Sequence, residues 1–505
     1  SYSRTTITPE YDPYALDVTL KEKLKNSANK DSIRNDAVDQ TTIKTVNFTN
    51  VKKNNTSGKK QKLWSVENVD VSYSYTHMER TSPLIESDEL ISHRGGIGYN
   101  YATAPKYIEP LKRSIKSKSP WLNIIKDINI NLLPSVVTFR ADARRQFGAF
   151  RPRNVGGPKG VLPETYNKYF TFDRYYVYRW DITRSLNFDF TATNLARVDE
   201  APGRLDQTGK KDMWSLFWRG GRNTSYQQSA TFSYTLPTAK LPLLDWTTMR
   251  LGYVGKYNWM ASSLDSFARS LGNFIGNTQE KNATAELDFT ALYRKSRLLR
   301  AIDWDAPPAA SPAPQPTIQP KISADTSTVK GKKKKKKEKK VKDPNQLPEV
   351  GTFVKVFGRL VTSVKRASIT YASTGNTNIA GYLDSTRALG MNWRNMAPGT
   401  DFVLGRQPDT NYINNFARKG FLTRNTLLNQ LNRQDFNQTL NLNAQVIPLR
   451  DLTIDVTLQK TFGKTYSELF KDTLNTPGSQ FVRLSPYASG SFRVSYISFQ
   501  TLFAK

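Results

Sequence analysis

The sequence predicts an all-β fold, an antiparallel up-and-down sheet of the kind that walls a transmembrane β-barrel. Three observations predict it. Apolar and polar residues alternate over many segments, some of those segments are long for soluble strands, and aromatic residues (24 Tyr and 25 Phe in 505) gather beside expected turns. The plainest alternation lies at residues 440–458. Leu440, Leu442, Ala444 and Val446 alternate with Asn441, Asn443 and Gln445; after a turn at 447–451, Leu452, Ile454, Val456 and Leu458 alternate with Thr453, Asp455 and Thr457. A period of two gives a strand one apolar and one polar face. Such a pair serves a soluble sandwich, apolar face on a core, or a barrel, apolar face on lipid and polar face on a lumen.

Composition narrows the chemistry. There is no cysteine, which excludes disulfide frameworks and thiolate catalysis, and only His77 and His93 offer imidazole. The two histidines flank an expected hairpin tip and read as ordinary polar residues rather than a metal pair. No segment reaches the roughly 18 apolar residues of a membrane helix. The net charge of +31 raises nucleic acid as a partner, but residues 330–342 hold ten lysines against Glu338 alone and so supply nine of those charges. The aromatics recur at strand period rather than interleaving with a basic strip, so no nucleic-acid partner is expected.

Taken in order, residues 1–62 read as a polar linker with a short helix at 16–24, and residues 63–300 as transmembrane strands. Val69, Val71, Tyr73 and Tyr75 open the series, and Ile97, Tyr99 and Tyr101 return after a tip at 79–90. The connector at 105–127 is basic, with Trp121, Leu122, Ile124 and Ile125 near its end, and suits equally an interfacial amphipathic segment or a helix packed on a sheet. A strand at 128–140 carries Pro134, which fits a strand end or a bulge. Aromatic density peaks at 166–180, matching either a membrane-boundary girdle or a packed aromatic core. Ala285, Leu287, Phe289, Ala291 and Tyr293 read as the longest strand, opposite Glu286, Asp288 and Thr290. Its length approaches the nine to eleven residues that cross a bilayer rather than the five or six usual in soluble sheets.

Residues 301–349 run from Pro/Ala to Ser/Thr to lysine, a composition expected to be disordered. Residues 350–505 return to transmembrane strands around a long excursion at 374–433, expected to be an ordered cap or plug contact. About twelve strands result. Polar tips at 79–90, 148–165, 197–224, 263–276, 374–433 and 467–487 alternate with the other connections, and the rule of short periplasmic turns puts the basic connector at 105–127, the similar one at 353–364, the lysine tract and both termini on the periplasmic side. The alternation assigns Val71, Tyr73, Leu287, Phe289, Leu442, Ile454 and Val456 to lipid, and Ser72, Ser74, Glu286, Asp288, Asn441, Asn443 and Asp455 to the lumen.

Several runs, in this order, carry a resemblance: Phe48-Thr49-Asn50-Val51, Val66-Glu67-Asn68, Val71-Ser72-Tyr73-Ser74-Tyr75, His93-Arg94-Gly95-Gly96, residues 124–134, residues 398–409 and Gly490-Ser491-Phe492-Arg493-Val494-Ser495-Tyr496. Together they resemble the SprA/Sov family, the outer-membrane translocons of the type 9 secretion system of Bacteroidetes, needed for gliding motility in some members. Each run is weak alone; their shared order is more specific. The resemblance implies a single-chain barrel of very large strand number, of which this chain would be an internal portion, an expectation to which the start at Ser1 and the end at Lys505 also lead. It implies secreted cargo with a C-terminal signal, a small lateral barrel of the PorV type, a plug protein and outer-membrane lipid as partners, and it brings no catalytic residue, cofactor or small-molecule substrate. The competing readings are another outer-membrane barrel, of receptor or lipopolysaccharide-export type, and a soluble extracellular β protein binding glycans through Tyr and Trp. An enzyme is not expected, because acidic pairs such as Asp88/Glu89 and Asp199/Glu200 fall in expected tips and no nucleophile–base set can be assembled.

Overall fold

The computed structural model describes residues 1–56, 58, 61–112, 115, 119–303, 351–409, 411–449, 452–474 and 480–495. Its frame is one antiparallel sheet of fourteen strands in which every strand pairs with its neighbours in sequence. In order these are β1 (Tyr2–Ile7), β2 (Asp39–Lys52), β3 (Val69–Thr81), β4 (Ile85–Ala102), β5 (Val136–Pro152), β6 (Thr165–Asp181) and β7 (Leu186–Arg197). They continue as β8 (Arg222–Leu236), β9 (Thr247–Met260), β10 (Asn273–Asp288), β11 (Val364–Tyr382), β12 (Asn432–Leu449), β13 (Leu452–Asp472) and β14 (Phe481–Val494). The sheet does not close: β1 pairs only with β2 and β14 only with β13. No helix among the described residues is long and apolar enough to cross a membrane.

The up-and-down order agrees with the sequence reading; the strand limits do not. β2 runs for 14 residues inside the stretch expected to be a linker, and its Lys44, Thr42 and Gln40 hide the alternation that Val46 and Phe48 begin. Strands also run further toward the tips. The tip expected at 79–90 shrinks to residues 82–84, because β3 and β4 pair as far as Arg80 and Asp88, which places Asp88 and Glu89 in a strand. The excursion expected from Thr374 begins at Leu383, since residues 374–382 continue β11 through Gly375, Asn376 and Thr377. Pro134 interrupts no strand; it precedes β5, and only Ile130–Asn131 forms a short strand before it.

One further limit matters for the site. The strand expected at 285–293 ends at Asp288, and Phe289–Tyr293 is a helix. The Asp288 carboxylate caps it by accepting from the Ala291 N–H at 3.2 Å, and the Phe289 ring packs tilted against Trp246 and Tyr293 instead of continuing a strand face.

The connections divide between two ends of the sheet, called here the turn end and the tip end. Among the described residues, 103–112, 119–135, 182–185, 237–246, 289–303 and 351–363 lie at the turn end, and 153–164, 198–221, 261–272, 383–409 and 411–431 lie at the tip end. Residues 8–38 also lie at the tip end, opposite to the end expected for residues 1–62. There the Tyr14 hydroxyl donates to the Pro83 carbonyl at 2.8 Å and Arg153 pairs with Asp36 at 2.6 Å. The lysine tract, the rest of the 304–350 stretch, residues 450–451 of the turn expected at 447–451, and Tyr496 lie outside the described residues.

Candidate functional site

Directly paired residues of an antiparallel sheet point to the same face, so register sorts the side chains. One line of partners runs Trp180–Phe188–Phe232–Tyr253, and a second, nearer the turn end, runs Leu186–Tyr234–Leu251–Ala283–Tyr371–Leu440. A third runs Met249–Ala285–Ile369–Leu442–Leu458. All belong to one face, which on β3 to β6 also carries Val71, Tyr73, Ile97, Tyr99, Phe139, Tyr176 and Tyr178. The alternate residues build the other face. Its lines run Thr284–Thr370–Asn441–Gln459 and Glu286–Ser368–Asn443–Thr457, with Ser72, Ser74, Asp142 and Thr191 on its other strands.

Val71, Tyr73, Leu287, Leu442, Ile454 and Val456 therefore share the apolar face, and Ser72, Ser74, Glu286, Asn441, Asn443 and Asp455 share the polar one. Asp288 pairs with Arg366 on the polar side but spends its carboxylate on the helix cap. Phe289 is the correction: it belongs to that helix, not to a strand face.

The apolar face changes character along its length. Toward the turn end its side chains are left uncovered, as with Leu251 at 47 % exposure, Ile454 at 43 % and Leu458 at 38 %. On β12 this zone covers Leu440 to Val446, which at about 3.4 Å per residue is roughly 20–24 Å along the strand. Toward the tip end the same face carries Gln228, Tyr257, Trp259, Asn277, Ile275, Thr377 and Ile379, and here residues 383–431 fold over it. The covering segment seats Met391, Phe402, Val403, Ile413, Phe416 and Leu422 against Tyr257, Trp259 and Ile275 as the main buried cluster.

Polar atoms of this covered zone are matched across the layer. Asn277 Nδ2 donates to the carbonyls of Phe402 at 3.1 Å and Arg406 at 2.9 Å, Gln228 Nε2 to Val403 at 3.1 Å, and Trp259 Nε1 to Asp384 at 3.0 Å. Gly255 admits the cap: a Cβ there would lie 2.0 Å from the Leu404 carbonyl oxygen. A second cover, the helix Gln207–Trp218, packs Met213 on Phe170 and Val198 farther along the same face. The sequence marks neither contact, because each joins polar or aromatic residues far apart in the chain.

The polar face carries charge of both signs. Arg140–Asp142 at 2.8 Å, Arg179–Asp189 at 2.5 Å, Lys256–Glu280 at 2.6 Å and Arg433–Asp435 at 2.9 Å are exposed pairs, of a kind that contributes little to stability. In the 153–164 tip, hydrogen bonds from Arg204 and then Tyr166 hold the Glu164 carboxyl down at about 2.

His77 and His93 do not form a pair. Tyr75 lies between them, and His93 Nδ1 bonds the Tyr73 hydroxyl at 3.0 Å. His77 Nε2 instead faces Glu79 at 3.2 Å and Glu89 at 3.3 Å, and these three donor atoms lie within 4.8 Å of one another, close enough to hold a cation.

No family model matches the chain, and no curated protein does.

Proposed function

We propose that this chain is part of the wall of a protein-conducting outer-membrane channel, the translocon role that its resemblance to the SprA/Sov family implies. The observation that carries the reading is the segregation of faces. Across many consecutive strands one face is polar and the other presents an uncovered apolar zone, roughly 20–24 Å long along β12, as the apolar band of an outer-membrane barrel requires. In the channel, the apolar zone meets lipid and the Asn/Thr/Ser/Gln face meets water and cargo. Catalysis has no part in it; the work is steric and electrostatic, a wetted wall that does not bind its passenger tightly.

Three further features support the reading. Strands of 19 and 21 residues are longer than a bilayer requires, which lets β11 and β13 project beyond it at the tip end, where caps replace lipid as the cover of the apolar face. The helix Thr352–Val361 lies at the turn end with Phe353, Val356, Phe357 and Leu360 exposed, an arrangement suited to a membrane interface. The unpaired edges of β1 and β14 require further strands in lipid, in keeping with one segment of a larger barrel. A PorV-type barrel, a plug protein and cargo with a C-terminal signal are the partners this role calls for.

The test is photo-crosslinking in cells from single positions of the full-length protein. Probes at Glu286 and Asn443 are expected to capture secreted proteins in transit, and probes at Leu287 and Leu442 are not. Capture from neither face, or equally from both, sinks the proposal.

A further inference from the structure

A cavity of about 860 Å³ opens at the tip end, where the 198–221 tip, the 261–272 tip and the start of the 383–431 cap converge. Its lining contains six arginines, Arg174, Arg219, Arg222, Arg269, Arg387 and Arg394, and no Asp or Glu. Among the described residues only Arg222 of these six has a carboxylate, that of Asp199 at 2.7 Å, which stands outside the lining. Among the described residues Arg219, Arg269, Arg387 and Arg394 make no ion pair, and all four are exposed at the mouth. The nearest acid on the cap, Asp384, is already occupied, its carboxylate accepting from the Ser385 N–H and from the side-chain amides of Asn392 and Asn395.

Arg174 is set deeper. Its Nη2 donates to the Gly220 carbonyl at 3.2 Å and to Asn223 Oδ1 at 2.9 Å, while its Nε is buried with no partner. Gly220 and Gly221, at φ +92° and +70°, make the turn that brings that carbonyl to the guanidinium. The bonds to Gly220 and Asn223 hold the half-buried Arg174 side chain in one orientation, so part of the entropy of binding is already spent before a ligand arrives.

Gathering guanidinium groups of one sign around a concave surface is unfavourable until an anion enters, and it focuses the field on that space. Guanidinium forks match the paired oxygens of phosphate, and they do so with charge-assisted hydrogen bonds. We infer that this cavity is a binding site for a phosphate-bearing anion, with Arg174 as the fixed inner donor and Arg219, Arg269, Arg387 and Arg394 closing on the ligand from the mouth. The site draws on Arg174 of β6 and the start of β8 as well as on the tips and the cap, and it needs neither lumen nor lipid, so it stands whether or not the sheet walls a channel.

Calorimetric titration of the detergent-extracted full-length protein with inorganic pyrophosphate, at constant ionic strength, tests it. Saturable binding is expected, weakened about tenfold or more in the double variant R387Q/R394Q, a loss in line with charged hydrogen bonds. Both substitutions lie on exposed positions, so the variant is expected to keep the wild-type melting curve, and R174Q serves as the inner counterpart. Competition by mixed micelles containing phosphatidic acid, but not by phosphatidylcholine alone, assigns the phosphate to a lipid headgroup; absence of competition assigns it to a free anion, and either result upholds the site. No saturable binding, or equal binding by wild type and R387Q/R394Q, overturns it.

Discussion

One face of one sheet is left bare over its turn-end half and covered over its tip-end half, and the two halves are built from different residues. The bare half is simple at its centre: Leu442, Ile454, Val456 and their partners Ile369, Leu458, Val446 and Ala444 offer apolar side chains and nothing that needs a hydrogen bond. The covered half mixes Tyr257, Trp259 and Ile275 with Asn277, Gln228 and Thr377, because its cover is a protein layer with carbonyls and amides to satisfy. Buried polar groups must be paired, whereas a surface meant for lipid must have none to pair. The difference teaches what each half is for: the covered half specifies one partner segment, and the bare half accepts any apolar surroundings.

That contrast can be broken from either side. Phe402→Ala removes a ring only 1 % exposed at the centre of the cap, and a loss of about 3–5 kcal/mol is expected there. Limited proteolysis within residues 383–431 reads it, and unchanged protection means the cap does not depend on this cluster. Leu442→Arg places a charge in the bare zone. In lipid vesicles it is expected to cost about 2–4 kcal/mol in urea unfolding, as a charge near a bilayer midplane does; a cost under about 0.5 kcal/mol marks a water-exposed face instead.

Gly255→Ala sharpens the boundary between the halves. Its methyl group meets the Leu404 backbone, so the cap must shift, at about 1–3 kcal/mol, and hydrogen exchange at residues 402–406 is expected to rise while the bare zone stays unchanged. A smaller effect is set by pH. Because the Glu164 carboxyl is held at about 2, below its ordinary 4.5, its contribution is present above about pH 4.5 and fades as pH falls toward 2. Local protection of the 153–164 tip is expected to follow that descent, and Glu164→Gln to abolish the dependence. Thr457→Ala, on the polar face, is expected to stay within about 0.5 kcal/mol of wild type by the same urea measurement.

The sequence is legible where one half of the comparison applies and opaque where the other does. At 69–75, 440–446 and 452–458, apolar residues alternate with polar ones because one face has no protein cover, and all three runs lie in strands of the observed sheet. At 374–382 the face toward the cap carries Thr377 and Gly375 for hydrogen bonding and close approach, so both faces look polar and the strand reads as loop. Residues 39–45 fail for a similar reason, with Thr, Gln and Lys on both sides of β2. The helix at Phe289 fails differently, since Leu287, Phe289 and Ala291 keep period two past the Asp288 cap that ends the strand. The arginine cavity had no signal in the chain at all: its six arginines come from four separate stretches that the sheet, the tips and the cap bring together.

The central claim, that one face lies in water and the other in lipid, is tested most directly by single cysteines introduced along residues 283–287 and 440–446 of this cysteine-free chain, within the full-length protein in cells. Each is probed with a membrane-impermeant thiol reagent. The account predicts labelling at Thr284, Glu286, Asn441, Asn443 and Gln445, and protection at Ala285, Leu287, Leu442 and Ala444. Labelling with no period of two, or protection of both faces, contradicts it.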